Sequence, residues 1–167
     1  MKKNFLKCFF KSINTKNDLD YDFYRSVEIF DNLSDKEIQN ISSLFIKKYY
    51  KKNETIYKEN HPQVVVYIVK TGKVSLQIDL PHINFKIFEI PAKIHFGEIG
   101  LFLDIPRINT AIALEDTELI AMKKSDIMLF IKANPGTGIK LLYNLGKCVA
   151  SKYIDTSKLI RQNGIFE

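Results

Sequence analysis

The feature that most constrains this chain is residues 96–112, where Gly97 and Gly100 bracket Glu98 and Ile99 and a Pro106-Arg107 break precedes a β-branched run. Two glycines so close let the backbone approach a ligand with no Cβ in the way. The short apolar run 99–103 allows one helical turn, whose first N–H groups are left for an anion. Arg107 adds an always-charged fork that matches phosphate oxygens. A bend of exposed amides beside one guanidinium suits a small phosphate with an attached sugar.

The same stretch closely resembles the phosphate-binding cassette of cyclic nucleotide-binding domains. The pattern is met by Phe96, Gly97, Glu98, Ile99, Gly100 and Leu101, by Pro106-Arg107 and by Thr110. Tyr67, Ile68, Gly72 and Val74 resemble a second segment of that family, the hairpin that precedes the cassette. The resemblance is to the ligand-binding domains of catabolite-activator-like regulators and cyclic nucleotide-gated channels. It implies that Gly97, Ile99 and Gly100, through their backbone, and Arg107, through its side chain, hold a cyclic phosphate. It also implies that Glu98 accepts from the ribose 2′-hydroxyl, that Ile108 and Asn109 border the phosphate, and that a final helix acts as a lid.

Some residues depart from the pattern. Ile108 follows the arginine and has no hydroxyl to reach a guanine edge, so cAMP is favoured over cGMP as the ligand. Asn109 stands where alanine is usual and needs a partner if buried. Lys93 and Asn60 occupy positions often held by glycine.

A chain of 167 residues with 46% hydrophobic and 26% charged residues reads as one soluble globular domain. No run is long and apolar enough for a membrane span. Cys8 and Cys148 lie far apart without metal-site spacing, as expected of reduced thiols in a cytoplasmic protein. His61, His82 and His95 form no clustered ligand motif, so they read as surface or turn residues and no metal is expected. No nucleophile–base signature is present, which argues against an enzyme. The net charge of +6 is concentrated at Lys2, Lys3, Lys7, Lys11 and Lys16, and the remaining chain is nearly balanced. No broad basic face is left to track nucleic acid. Residues 2–13 read either as a basic amphipathic helix suited to weak contact with a membrane surface or an acidic partner, or as a helix packed on the domain.

The expected architecture is mainly β with flanking helices, a double-stranded, jelly-roll-like β-roll preceded by short helices and closed by a C-terminal lid helix. The boundaries are a basic segment 1–22, the roll 23–134 and the lid 135–167. Ser34 and Glu37 form a capping box ahead of Ile38, Ile41, Leu44 and Phe45. Strands are expected at 54–58, 64–69, 73–78, 85–90, 110–114 and 118–122. The run 64–69 should be buried on both faces, whereas 73–78 should keep one wet face. Ser125 should cap a helix over 126–132, and Asn134-Pro135 should open the last one. Its stripe Ile139, Leu142, Leu145, Val149 and Tyr153 fits packing on the roll or on a second copy, the latter giving a homodimer. Tyr153, Lys158 and Arg161 are candidates to cap the base. The sequence ends at Glu167 with no DNA-reading head, so the expectation is a stand-alone regulatory module that signals to an unidentified effector protein by moving its last helix. The alternative is a degenerate cyclic nucleotide-binding fold used only for protein–protein contact.

Overall fold

Eight strands pair into two four-stranded antiparallel sheets in a computed structural model of the chain, which describes residues 19–80 and 83–162. The strands are β1 Ile46–Tyr50, β2 Thr55–Tyr57, β3 Val65–Thr71, β4 Lys73–Leu80, β5 Ile83–Pro91, β6 His95–Phe96, β7 Thr110–Ala113 and β8 Thr117–Lys123. One sheet has the order β1-β8-β3-β6 and the other β2-β7-β4-β5. Among the described residues five α-helices flank them: α1 Tyr21–Arg25, α2 Asp35–Ile41, α3 Ile99–Phe102, α4 Lys124–Ala133 and α5 Pro135–Gln162. This is the expected β-roll with its long terminal helix. The basic tail, including Cys8, lies outside the described residues, as does His82.

Strand β3 explains why two apolar layers exist. Val66 and Ile68 point into a cluster with Ile29, Phe30, Ile38, Ile41 and Leu141, which seals the helices onto the first sheet. Tyr67 and Val69 face the other way, among Val74, Phe96, Leu119 and Ala121 between the sheets. A strand buried on both faces has no wet face to alternate with, hence its unbroken apolar run.

The capping box forms as expected. The Glu37 N–H donates to the Ser34 hydroxyl, and the Ser34 N–H returns a 2.8 Å bond to the Glu37 carboxylate. That carboxylate also accepts from Thr137 (3.1 Å) and Lys140 (2.9 Å) on α5. These bonds hold the Glu37 carboxyl down at about 2, its bond from the Ser34 backbone counting most. Asn144, buried on the same helix, donates to the carbonyls of Ile29 (3.2 Å) and Asp31 (2.8 Å). The first half of α5 is thus tied to the N-terminal helices.

Three local expectations need correction. Ser75 is fully buried, so β4 lacks the predicted wet face there; Gln77 donates to its hydroxyl at 3.2 Å, which satisfies it inside. Helix α4 starts at Lys124 with Lys123 at the cap position, because β8 runs straight into it and the Lys124 N–H is used by the Val64 carbonyl at 2.9 Å. Ser125 therefore lies inside the first turn and bonds Asp126 instead. The buried face of α5 is Leu141, Asn144, Leu145 and Cys148, while Ile139 and Tyr153 are 69% and 73% exposed. The predicted stripe mixed two faces, because buried Asn144 belongs to the packed one and a purely apolar reading passes over it.

Candidate ligand site

Strand β6, helix α3 and the following loop bring the glycines and Arg107 to the open edge of the inter-sheet core. Phe96 is buried there, its ring 5.2 Å from Tyr67 and 6.1 Å from Tyr57, centre to centre. Gly97 follows with φ of +78°, and a Cβ on it would collide with the Arg107 guanidinium. Gly100 packs so closely on the Gln63 carbonyl that a side chain there would strike it. Gln63 in turn donates to the Pro106 carbonyl at 3.0 Å. The Arg107 N–H bonds the His61 carbonyl and the Asn60 N–H bonds the Arg107 carbonyl, both at 2.8 Å. The loop at 60–63 thereby straps the Pro-Arg break in place.

Arg107 is only 4% exposed, and among the described residues no carboxylate pairs with it. Its guanidinium donates to the carbonyls of Val65 (2.6 Å) and Gly97 (3.4 Å) and stacks over the Tyr57 ring, while its Nε is buried with no partner. Burial lowers its pKa, although an arginine remains charged at any ordinary pH. Asn109 is half-buried and does find a partner: the Tyr57 hydroxyl donates to its side-chain oxygen at 2.9 Å. Ile108 is half exposed.

These residues open onto a cavity of ≈ 630 Å³. Gly97, Glu98, Ile99, Arg107, Ile108 and Asn109 line it, whereas Gly100 backs it from behind. Leu76, Phe88 and Ile90 supply an apolar wall, and α5 roofs it with Val149, Lys152, Tyr153, Asp155 and Thr156. Lys158, one candidate for the base cap, instead pairs with Asp155 at 3.6 Å on the surface.

Glu98 is 4% exposed and is met by Lys152, whose Nζ lies 2.7 Å from its Oε1 and 3.2 Å from the His95 carbonyl. Burial is the largest single influence on the Glu98 carboxyl and pushes it up, but the Lys152 ammonium, His95 and a backbone N–H together hold the group below its ordinary value. His95 is 3% exposed rather than a surface residue, because β6 lies directly against β3. Burial, aided by the Lys152 charge, pushes its imidazole down to about 4. Among the described residues no group of His, Cys, Asp and Glu is placed to hold a metal, and no helix is long and apolar enough to cross a membrane.

The sequence profile of the cyclic nucleotide-binding domain matches residues 47–134, more than half of the chain. The chain belongs to this family. The cyclic nucleotide-binding domain accounts for the whole path from β1 to the end of α4. Among curated relatives, a cGMP-dependent protein kinase of Plasmodium berghei is 34% identical over 95 residues, 57% of this chain and 11% of the kinase. The cyclic AMP receptor protein of Thermus thermophilus is 28% identical over 108 residues, 64% of this chain and 50% of the receptor. The chain thus spans half or less of the length of these two relatives. In fold, a cyclic nucleotide-binding domain from Methylobacillus flagellatus superposes with a TM-score of 0.78 at 18% identity, covering 87% of this chain and 83% of the other.

Sequence reading picked out most of the 97–109 stretch that lines this cavity but not Lys152, Tyr57 and Gln63, which line it too. Lys152 lies more than fifty positions from Glu98, with nothing local to join them. Tyr57 carries a readable signal, an aromatic closing a short strand, but its stacking under Arg107 depends on the pairing of β2 with β7.

Proposed function

We propose that the cavity binds a cyclic nucleotide, cAMP in preference to cGMP, and that binding shifts the distal half of α5. The observation that carries this reading is the buried guanidinium of Arg107. Among the described residues it is a cation with no carboxylate paired to it and its Nε unpartnered, at the floor of a cavity with glycine backbone on one side. Leaving such a group unsatisfied is unfavourable, and the phosphate of a ligand relieves it. Glu98 takes the ribose hydroxyl, and Gly97 and Ile99 place their backbone around the phosphate, with Gly100 packed behind them on Gln63. The apolar wall receives the base. The preference for cAMP rests on Ile108, half exposed beside the cavity and without a hydroxyl for a guanine edge.

The proposed output is a protein contact. The exposed residues Ile139, Tyr143 and Tyr153 on α5 form a surface that a second copy of the chain would cover, with an effector protein reading its movement. No metal and no nucleic acid take part in this scheme, and it assigns the chain no catalysis.

Calorimetry with cAMP, cGMP and cyclic dinucleotides tests the proposal. Saturable heat with cAMP, weaker with cGMP, is the expected result. Absence of heat with every ligand would turn the assignment to a domain that keeps the fold for protein contact alone, a role favoured by the way Lys152 already occupies Glu98.

A further inference from the structure

Helix α5 is held to the rest of the molecule very unevenly. Up to Cys148 it contributes Leu141, Leu145 and Cys148 to the core and makes the bonds of Lys140 and Asn144 described above. Beyond Cys148, among the described residues, it adds nothing to either apolar cluster. Gly146 lies at this junction with open space around it, a residue that weakens a helix locally. Among the described residues, the side-chain hydrogen bonds and ion pair that join the distal segment to the rest of the molecule are those of Lys152. Its stem crosses the cavity roof, and its ammonium meets the Glu98 carboxylate and the His95 carbonyl.

We propose that Lys152 is an intramolecular competitor for the sugar end of the cavity, latching the distal half of α5 onto Glu98 until a ligand hydroxyl takes that carboxylate. This inference rests on the assignment of Glu98 to the ribose. Glu98 is a nearly fully buried carboxylate, and a buried charge needs a partner. Without ligand, the partner present is the ammonium of a lysine that is itself partly exposed and can withdraw to water. A ribose hydroxyl donating to Glu98 from within the cavity weakens the hold of Lys152. The residues past Cys148 then lose the contact that fixes them. A ligand shifts a conformational equilibrium only through its difference in affinity for the two states. Here that difference is located at one carboxylate, which serves the helix in one state and the ligand in the other.

The experiment compares the parent chain with Lys152→Met, Lys152→Arg and Glu98→Gln, by amide hydrogen exchange over 149–162 and by calorimetry with cAMP. Lys152→Met keeps the apolar stem and removes the charge. Without ligand it should speed exchange over 149–162, and not over 135–148, as should Glu98→Gln, while Lys152→Arg should resemble the parent. The double variant Lys152→Met, Glu98→Gln should exchange no faster than either single one. With cAMP, Lys152→Met should bind at least about fivefold more tightly than the parent, within the range of measured couplings. Unchanged exchange in Lys152→Met would overturn the latch, and this arm needs no nucleotide, so it decides even if the cavity binds none. Weaker cAMP binding by Lys152→Met would overturn the competition, because it would make the lysine a ligand contact.

Discussion

The guanidinium carbon of Arg107 lies 4.1 Å from the centre of the Tyr57 ring, and the same tyrosine gives its hydroxyl proton to Asn109. One aromatic residue on β2 therefore fixes both the cation of the cassette and the polar residue two positions on. A desolvated cation over an aromatic face is worth about 2 kcal/mol, enough to hold the arginine without a carboxylate. Arg107→Ala should weaken cAMP binding at least about tenfold, or about 1.4 kcal/mol. Arg107→Lys should not restore it, because an ammonium cannot both stack flat on Tyr57 and present a fork to phosphate. Titration curves that superimpose on the parent's would remove Arg107 from the anchoring role.

Two buried or bridging groups should give the acid stability curve two separate limbs. The His95 imidazole titrates near 4 in the folded chain against an ordinary 6.5. The unfolded chain takes up that proton first, so stability falls as pH drops from 6.5 and this loss levels off below about 4. The Glu37 carboxyl titrates at about 2 against 4.5. Its contribution is complete above 4.5 and disappears as pH falls toward about 2. His95→Gln should flatten the upper limb alone. Glu37→Gln, which keeps the capping geometry, should shrink the lower one alone, the remainder coming from Glu98 and other carboxylates held below their ordinary values. Denaturant unfolding at a series of pH values reads both, and identical profiles for parent and variants would show the assignments to be wrong.

The glycine–arginine edge of the cavity was legible in the sequence because its residues are close together in the chain. Gly97, Glu98, Arg107 and Asn109 lie within thirteen residues, all on the segment between β6 and β7, which forms one edge of the cavity they line. The capping box at Ser34 and the doubly buried β3 were legible for the same reason, since each depends on spacing within one element. Lys152 and Tyr57 were not, because their roles arise from contacts between elements far apart in the chain. The face of α5 was misjudged at Asn144, a polar residue that is buried because the carbonyls of Ile29 and Asp31 await it. His95 was misplaced because burial of a β6 residue is decided by the strand beside it.

Lys93 has a φ of +75° and Asn60 one of +65°. Both departures from the usual glycines thus sit in the left-handed region, where a Cβ is unfavourable by roughly 1–2 kcal/mol and asparagine suffers least. Glycine adds back roughly 0.5–1 kcal/mol through the greater freedom of the unfolded chain. Lys93→Gly should therefore stabilise the protein by about 0.5–1 kcal/mol, raising its melting temperature by roughly 1–4 °C. Asn60→Gly should do less. Lys93 is exposed and its N–H bonds the Val69 carbonyl at 2.8 Å, a bond that glycine retains. A lower melting temperature for Lys93→Gly would mean that its side chain contributes more than its backbone strain removes.

The unburied side of α5 carries Ile139, Tyr143, Ala150 and Tyr153, residues spaced by four, seven and three. That spacing matches a heptad seam with Gly146 at the position it skips, and it lies opposite the face that Leu141, Asn144 and Leu145 place on the core. A second copy of the same helix fits such a seam, and the chain should sediment as a dimer at micromolar concentration. Tyr143 is 70% exposed, so Tyr143→Glu should leave the fold intact while placing two like charges across the seam. It should sediment as a monomer and change the unfolding free energy at limiting dilution by no more than about 0.5 kcal/mol. Tyr153 adjoins Lys152 and also lines the cavity, so the seam and the latch share a turn of helix. Linkage then requires reciprocity: if cAMP shifts the dimer constant by some factor, dimerisation shifts cAMP affinity by the same factor. Sedimentation with and without cAMP reads this directly. A parent that stays monomeric under both conditions would leave the seam without its second copy.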